Sequence, residues 1–240
     1  MGLAVEYAKK IIGSIKYNGA EKINRPAFLA GRSGRIDTST PIGLVRYVVL
    51  DTELTGLKPQ KDSIVSIGAV EMTGGKIEIG RTYYRVVEPR TAMGGESVVI
   101  HGITPSDAAQ CPDIETLLPE FIDFCGNAVL VGHVVSIDTA FINREMKRIY
   151  GTTMPNQVVD TLSIYRWLSR RDGDACPFYV EGDADVRLSA LAEILGIPFA
   201  HVHNAQMDAY ITAQIFQIFL SRLPRLGINT LEDLLRIGKP

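Results

Sequence analysis

Asp51 and Glu53 stand one residue apart where the apolar run Val48-Val49-Leu50 stops. A buried strand reads as continuous Val, Ile and Leu. Acids at the end of such a run therefore fall at the strand's carboxyl end, where open α/β sheets place ligands. Residues two apart on a strand share a face, so both carboxylates can aim at one point. Like charges that close need a cation, or one of them must hold a proton. The same stretch also suits a strand entering a solvated turn, so further acids have to decide. Asp138 follows the apolar run 128–131 and opens a helical pattern, and Asp208 lies in the first turn of the last long helical pattern, five residues after His203. Singly, Asp138 reads as a complement to a helix amino terminus, Asp208 as a solvated polar residue and His203 as a loop histidine. Strand ends and helix starts, however, share one rim of a sheet, where carboxylate oxygens suit magnesium or manganese better than zinc.

The elements that must position these groups follow from periodicity. Arg46 to Leu50 reads as a first strand, Ser63 to Met72 as a second and Ile77 to Val87 as a third, with Gly74-Gly75 as the hairpin turn between the last two. That is an antiparallel meander. Pro89 to Ala109 reads as a loop, Asp113 to Cys125 as a capped helix, Ala128 to Val131 as a buried strand and Ile137 to Tyr150 as a helix. Val158-Val159 makes a short fifth strand ending at Asp160. Residues 161–171 and 186–196 are helical around a Gly- and Asp-rich loop at 172–185, and Ala205 to Arg222 is the longest helix. The pattern predicts an α/β fold with a mixed sheet.

Composition bounds the reading. The chain has 240 residues, 46% hydrophobic and 22% charged, enough for a sizeable core in an ordinary globular protein. Cys111, Cys125 and Cys176 lack the close pairing of a zinc site and read as packing residues in a reduced, cytoplasmic setting. No apolar run approaches the ~20 residues of a membrane span, and no secretory signal pattern opens the chain. The net charge of −2 hides an asymmetry, with +5 over residues 1–46 and −7 over the rest. A basic arm of that kind can hold a polyanion, a membrane surface or its own acidic body. Ala4, Tyr7, Ala8, Ile11, Ile12 and Ile15 give it an amphipathic helix over 3–17, expected to dock on the domain or a partner chain, and the Gly- and Pro-punctuated stretch 18–43 reads as a linker. The expected division is an arm at 1–43, a domain at 44–223 and a short tail at 224–240, where Leu231, Leu234 and Leu235 suggest a small helix.

Taken in order, the motifs are Asp51-Thr52-Glu53-Leu54-Thr55-Gly56-Leu57, the stretch Asp62 to Val70, His101-Gly102-Ile103-Thr104, Gly132-His133 with Asp138 and Phe141, Asp160-Thr161-Leu162, and His203-Asn204-Ala205-Gln206-Met207-Asp208. This series resembles the DnaQ-like 3′-to-5′ exonucleases of the DEDD superfamily, which includes the proofreading subunit of bacterial replicative polymerase. The last motif, His-x-Ala-x-x-Asp, is similar to the histidine subclass; the tyrosine subclass would place its tyrosine at position 204, here Asn.

The resemblance implies an RNase H-like fold, a five-stranded mixed sheet flanked by helices; the helical arm read from periodicity precedes it. It also implies a phosphodiesterase using two magnesium or manganese ions. On that pattern Asp51, Glu53 and Asp208 hold the ion nearest the attacking water, Asp51 bridges to a second ion near Asp138, and His203 is the general base, a task suited to an imidazole titrating near ~6.5. Leu54, Thr55, Gly56, Leu57 and His101 would line the site of the terminal nucleotide. The implied substrate is a single-stranded or frayed 3′ end of DNA or RNA. A polymerase partner is open, with a stand-alone enzyme favoured on the short tail. Two positions depart from the family pattern: Leu54 stands where the first Thr of Asp-x-Glu-Thr-Thr-Gly is common, and Val134 follows His133 where Asn is common. Both departures bear on substrate range.

Overall fold

The computed structural model describes residues 36–171, 187–198 and 203–240. The expected arm helix over 3–17, most of the linker, Cys176 and the loop at 172–185 lie outside these. Five strands form one sheet: β1 (Arg46–Leu54), β2 (Ile64–Thr73), β3 (Lys76–Val86), β4 (Val129–Gly132) and β5 (Val158–Asp160), in the order β3-β2-β1-β4-β5. β1, β2 and β3 pair antiparallel, whereas β4 lies parallel to β1 and β5 parallel to β4. The mixed five-stranded sheet expected from the sequence is therefore present, with β1 at its centre.

The helices are α1 (Gly95–His101), α2 (Pro105–Ala108), α3 (Ile114–Cys125), α4 (Ser136–Tyr150), α5 (Thr161–Arg171), α6 (Leu188–Ile194), α7 (Ala205–Arg222) and α8 (Leu231–Ile237). Alternation along β1 sorts the core into two layers. Tyr47 and Val49 face Ile215, Phe216 and Phe219 of α7, while Val48 and Leu50 face Phe121 of α3 and Phe141 of α4. α7 buries a wide face, from Ala205 through Asp208, Ile211, Thr212 and Ile215 to Phe219, and leaves Met207, Gln217 and Ser221 on the exposed side. The 224–240 segment joins the same core: Leu231, Leu234 and Ile237 of α8 are buried, and Asp160 N–H donates to the Gly238 carbonyl at 2.7 Å. Cys125 is buried in the α3 layer and Cys111 packs partly buried near Ile103.

Two expectations need correction. The first strand does not stop at Leu50 but runs to Leu54, because the backbone ladder to β2 continues through Asp51↔Gly68 and Glu53↔Ser66 whatever the side chains are. The stretch 89–109 is not all loop. It contains α1, closed by Gly102 at φ 71, and α2, started by a Thr104–Asp107 capping box.

Candidate active site

The β1 acids sit past the point where the parallel ladder ends. β4 pairs with Tyr47, Val48 and Val49 only, so from Asp51 onward β1 is held by β2 on one side. A register irregularity between Glu53 and Leu54 then bends the strand out at the rim. Asp51 and Glu53 share the α7 face. The helix start that meets them can come close because residue 68, directly across from Asp51, is glycine. A Cβ there would lie 2.2 Å from the Ala205 carbonyl carbon.

α7 begins at a capped turn. Asn204 accepts from Met207 N–H at 3.2 Å, and Asp208 Oδ2 accepts from His203 N–H at 2.9 Å. Ligand oxygens of Asp51, Glu53 and Asp208 all lie within 4.8 Å of one another. Asp208 Oδ1 is buried with no hydrogen-bond partner among the described residues. An all-oxygen donor set with one oxygen left unpaired fits a hard divalent cation.

Asp138 arrives from the other layer, on the first turn of α4. It is buried, and its Oδ1 accepts from Thr52 Oγ1 at 2.6 Å. Thr52 was not singled out from the sequence. Its signal is the alternation itself: the residue between two acids on one face must point to the opposite face. Asp160 ends β5 and belongs to the motif Asp160-Thr161-Leu162, but the sequence gives it no role in the site. It is the hub of the loop that launches α4, accepting from Val135 N–H at 3.0 Å, Val134 N–H at 3.3 Å and Leu162 N–H at 2.8 Å. His133 is tied to the same hub through Thr161 Oγ1 at 3.0 Å.

Crowding of the acids shows in their proton affinities. Burial first, then the neighbouring Asp208 and Asp138, push Glu53 up to about 8. Burial raises Asp138 to about 7 against the opposing Thr52 hydrogen bond, and Asp208 to about 6 against the bond from His203 N–H. Burial, followed by the charges of Asp138, Glu53 and Asp208, holds Asp51 well above the carboxylate range. The four acids thus repel one another through a partly desolvated site, which is the condition a cation relieves.

The remaining expected residues fall around this centre. His203 is solvent-exposed, in a left-handed backbone conformation with φ 72, and its charge is felt by both Asp208 and His101. His101 closes α1 and is buried. Its Nδ1 accepts from Ile103 N–H at 3.1 Å, Nε2 has no partner among the described residues, and burial together with His203 lowers its pKa. Leu57 is 74% exposed at the rim. Gly56 lies against the Asp62 carboxylate, which a Cβ would meet at 2.5 Å. Thr55 is engaged by its own frame, its hydroxyl accepting from Ser63 N–H at 2.9 Å and meeting Thr91 Oγ1 at 3.1 Å. Leu54 packs partly buried against the Phe121 and Phe141 layer.

A meander feeding two parallel strands, with carboxylates gathered at the carboxyl end of the central strand, is the RNase H-like architecture. Within that class the chain belongs to the exonuclease family of the RNase T type, whose model matches residues 48–216. The DnaQ-like resemblance is thereby borne out. The chain is 33% identical to a PolC-type DNA polymerase III of Thermotoga maritima over 199 residues, which make up 82% of this chain and 13% of the polymerase. Among solved structures, E. coli Exonuclease I in complex with a dT13 oligonucleotide aligns with a TM-score of 0.67 and 21% identity over 76% of this chain and 42% of that one. Exonuclease X in complex with 5′ overhanging duplex DNA aligns with a TM-score of 0.57 and 26% identity, over 81% of this chain and 99% of that one. Among the described residues, no helix is long and apolar enough to cross a membrane.

Proposed function

We propose that the chain is a 3′-to-5′ exonuclease that hydrolyses the last phosphodiester of a single-stranded or frayed DNA 3′ end and releases nucleoside monophosphates. The observation that carries this reading is the cluster of Asp51, Glu53 and Asp208 oxygens within 4.8 Å, with Asp138 alongside. DNA as substrate is supported by the oligonucleotide and duplex bound to Exonuclease I and Exonuclease X and by the polymerase relative. The working domain is residues 44–223, with 224–240 bracing β5.

Asp51, Glu53 and Asp208 would hold one divalent cation, magnesium or manganese, and Asp51 with Asp138 a second. Bound there, such ions supply Lewis-acid stabilisation of the attacking and leaving oxygens of an in-line displacement. His203, exposed and free to reach solvent, takes the proton of the attacking water. Leu57 and His101 contact the terminal nucleotide, and the backbone of 54–56 shapes its seat. The cleaved 3′ oxygen leaves with the shortened strand.

The test is an oligonucleotide labelled at its 5′ end and incubated with magnesium. A ladder shortening from the 3′ end is expected, and chelation abolishes it. Release of label as a mononucleotide from the 5′ end in the first turnovers would reverse the assigned polarity. An intact strand with manganese as well as magnesium would leave only a binding module.

A further inference from the structure

We infer that Arg144 is a positioning residue that locks the β1–β2 loop and so ties the nucleotide seat to the helix that carries Asp138. The inference rests on the exonuclease reading above, since it assigns the loop's task to that reaction.

Residues 55–63 join β1 to β2 and present Leu57 at the rim. The loop is braced internally: Asp62 Oδ2 accepts from Lys58 N–H at 2.8 Å, and the Lys58 carbonyl accepts from Lys61 N–H at 2.9 Å and Asp62 N–H at 2.8 Å. With Gly56 resting on the Asp62 carboxylate, these bonds make 56–62 one compact turn. Among the described residues, the hydrogen bonds that tie it to α4 come from one guanidinium. Arg144 Nη1 donates to the carbonyl of Pro59 and, at 2.6 Å, to that of Asp62.

The same guanidinium is fixed from behind. Its Nε and Nη2 donate to Glu145 Oε1 at 2.9 and 2.6 Å, and Glu145 Oε2 accepts from Arg148 Nε at 2.8 Å. Glu145 is 3% exposed, and Arg148 continues the chain of charges to Glu115 on α3. An acid so buried persists only when fully paired. Here its two oxygens orient two arginines, one of which faces the loop. Only a planar fork with donors on three nitrogens meets Glu145 and two carbonyls together, which a lysine cannot do. The Arg144 guanidinium lies over the Phe141 ring at 5.6 Å, so its direction is fixed as well. Asp138 lies six residues earlier on the same helix. One rigid rod therefore sets both a proposed metal ligand and the height of the turn that seats the terminal nucleotide.

Arg144→Met keeps the stem over Phe141 and deletes the donors, and Arg144→Lys restores a charge with partial reach. For Arg144→Met we expect KM for a 3′-ended oligonucleotide to rise about tenfold, because a turn freed from both carbonyl contacts must be ordered again when the substrate binds. We expect kcat and the calorimetric magnesium affinity to stay near wild type, with Arg144→Lys in between. Limited trypsin digestion gives a readout independent of turnover. Lys58 precedes proline, so the loop's accessible bond follows Lys61, and it should be cut faster in Arg144→Met. If the unpaired Glu145 prevents folding, Arg144→Met with Glu145→Gln removes the stranded charge and takes the same measurements. Wild-type KM together with wild-type cleavage after Lys61 overturns the inference, and so does a fall in kcat at unchanged KM. Should the wild-type chain hydrolyse no oligonucleotide, the exonuclease reading fails, and the rate of cleavage after Lys61 still decides whether Arg144 locks the turn.

Discussion

Thr52 and Asp138 meet across the rim of the sheet, hydroxyl to carboxylate at 2.6 Å, so the residue between the two β1 acids is the one that orients the acid from the opposite layer. That hydrogen bond lowers the proton affinity of Asp138 against the burial that raises it. Thr52→Val removes the donor at nearly constant shape. Loss of such a supporting partner typically costs about 10- to 100-fold, so activity at fixed magnesium should fall by that order, and the acid limb of the pH–rate profile should move to higher pH. A profile with an unmoved acid limb would mean that Asp138 does not depend on Thr52.

Asp51 carries the heaviest repulsion, with three acids raising its affinity for a proton after burial. Asp51→Asn should therefore do two opposite things. Turnover should drop by at least ~10³-fold if the side chain bridges both ions, since several kcal/mol of charge stabilisation go with them. The metal-free protein should at the same time melt at a higher temperature near neutral pH, because an acid that is ionised in the unfolded chain, and that the fold forces to keep a proton or bear a crowded charge, is gone. Assays with and without chelator separate the two effects, and retained turnover would refute the two-ion arrangement.

The same crowding sets a pH dependence whose sign is fixed. Unfolded carboxylates titrate near ~4, whereas Asp208, Asp138 and Glu53 in the fold titrate at about 6, 7 and 8. Between these values the native state holds more protons than the unfolded chain, so stability is full below about 4 and declines as pH rises through the folded values. Thermal melts in chelator should show the midpoint falling from pH 5 to pH 8. Magnesium binds only the deprotonated acids, so its stabilising shift should be larger at pH 8 than at pH 5. An equal shift at both would detach metal binding from these residues.

His203 is exposed and touches the acids through its backbone as well as its charge. His203→Asn is the cleaner probe, because Asn tolerates the left-handed φ of 72 and keeps the N–H bond to Asp208. Removing a general base costs about 10²- to 10⁴-fold. The rate should fall by that order while magnesium affinity by calorimetry holds. A weakened metal site in this variant would show that the imidazole serves binding instead.

What the sequence made legible was governed by period and order. The two-residue period put Asp51 and Glu53 on one face, and the meander followed by strand, helix, strand gave the sheet its mixed character. The misreadings have physical reasons. β1 looked finished at Leu50 because acids interrupt an apolar run, yet its ladder to β2 is made by backbone groups. α1 was hidden because Val98-Val99-Ile100 carries no helical alternation, with Val99 85% exposed. Thr52, Asp160 and Arg144 act through partners 86, 26 and 82 residues away in the chain, and no local pattern announces such contacts.

Val134 is where a departure from the family motif meets a backbone constraint. It has φ 57, a left-handed conformation that a β-branched side chain adopts only under strain, while its N–H reaches Asp160 at 3.3 Å in the loop that launches α4. Asn, common at this position in the DnaQ-like pattern, accepts that conformation. Val134→Asn should therefore stabilise the fold by about 1 kcal/mol, reduced by whatever packing the partly buried valine gives the α7 layer. Denaturant titration of the metal-free chain measures the gain. If the midpoint drops instead, packing of Val134 outweighs its backbone strain. If it rises without any change in the range of oligonucleotides cleaved, the departure at 134 bears on stability and not on substrate choice.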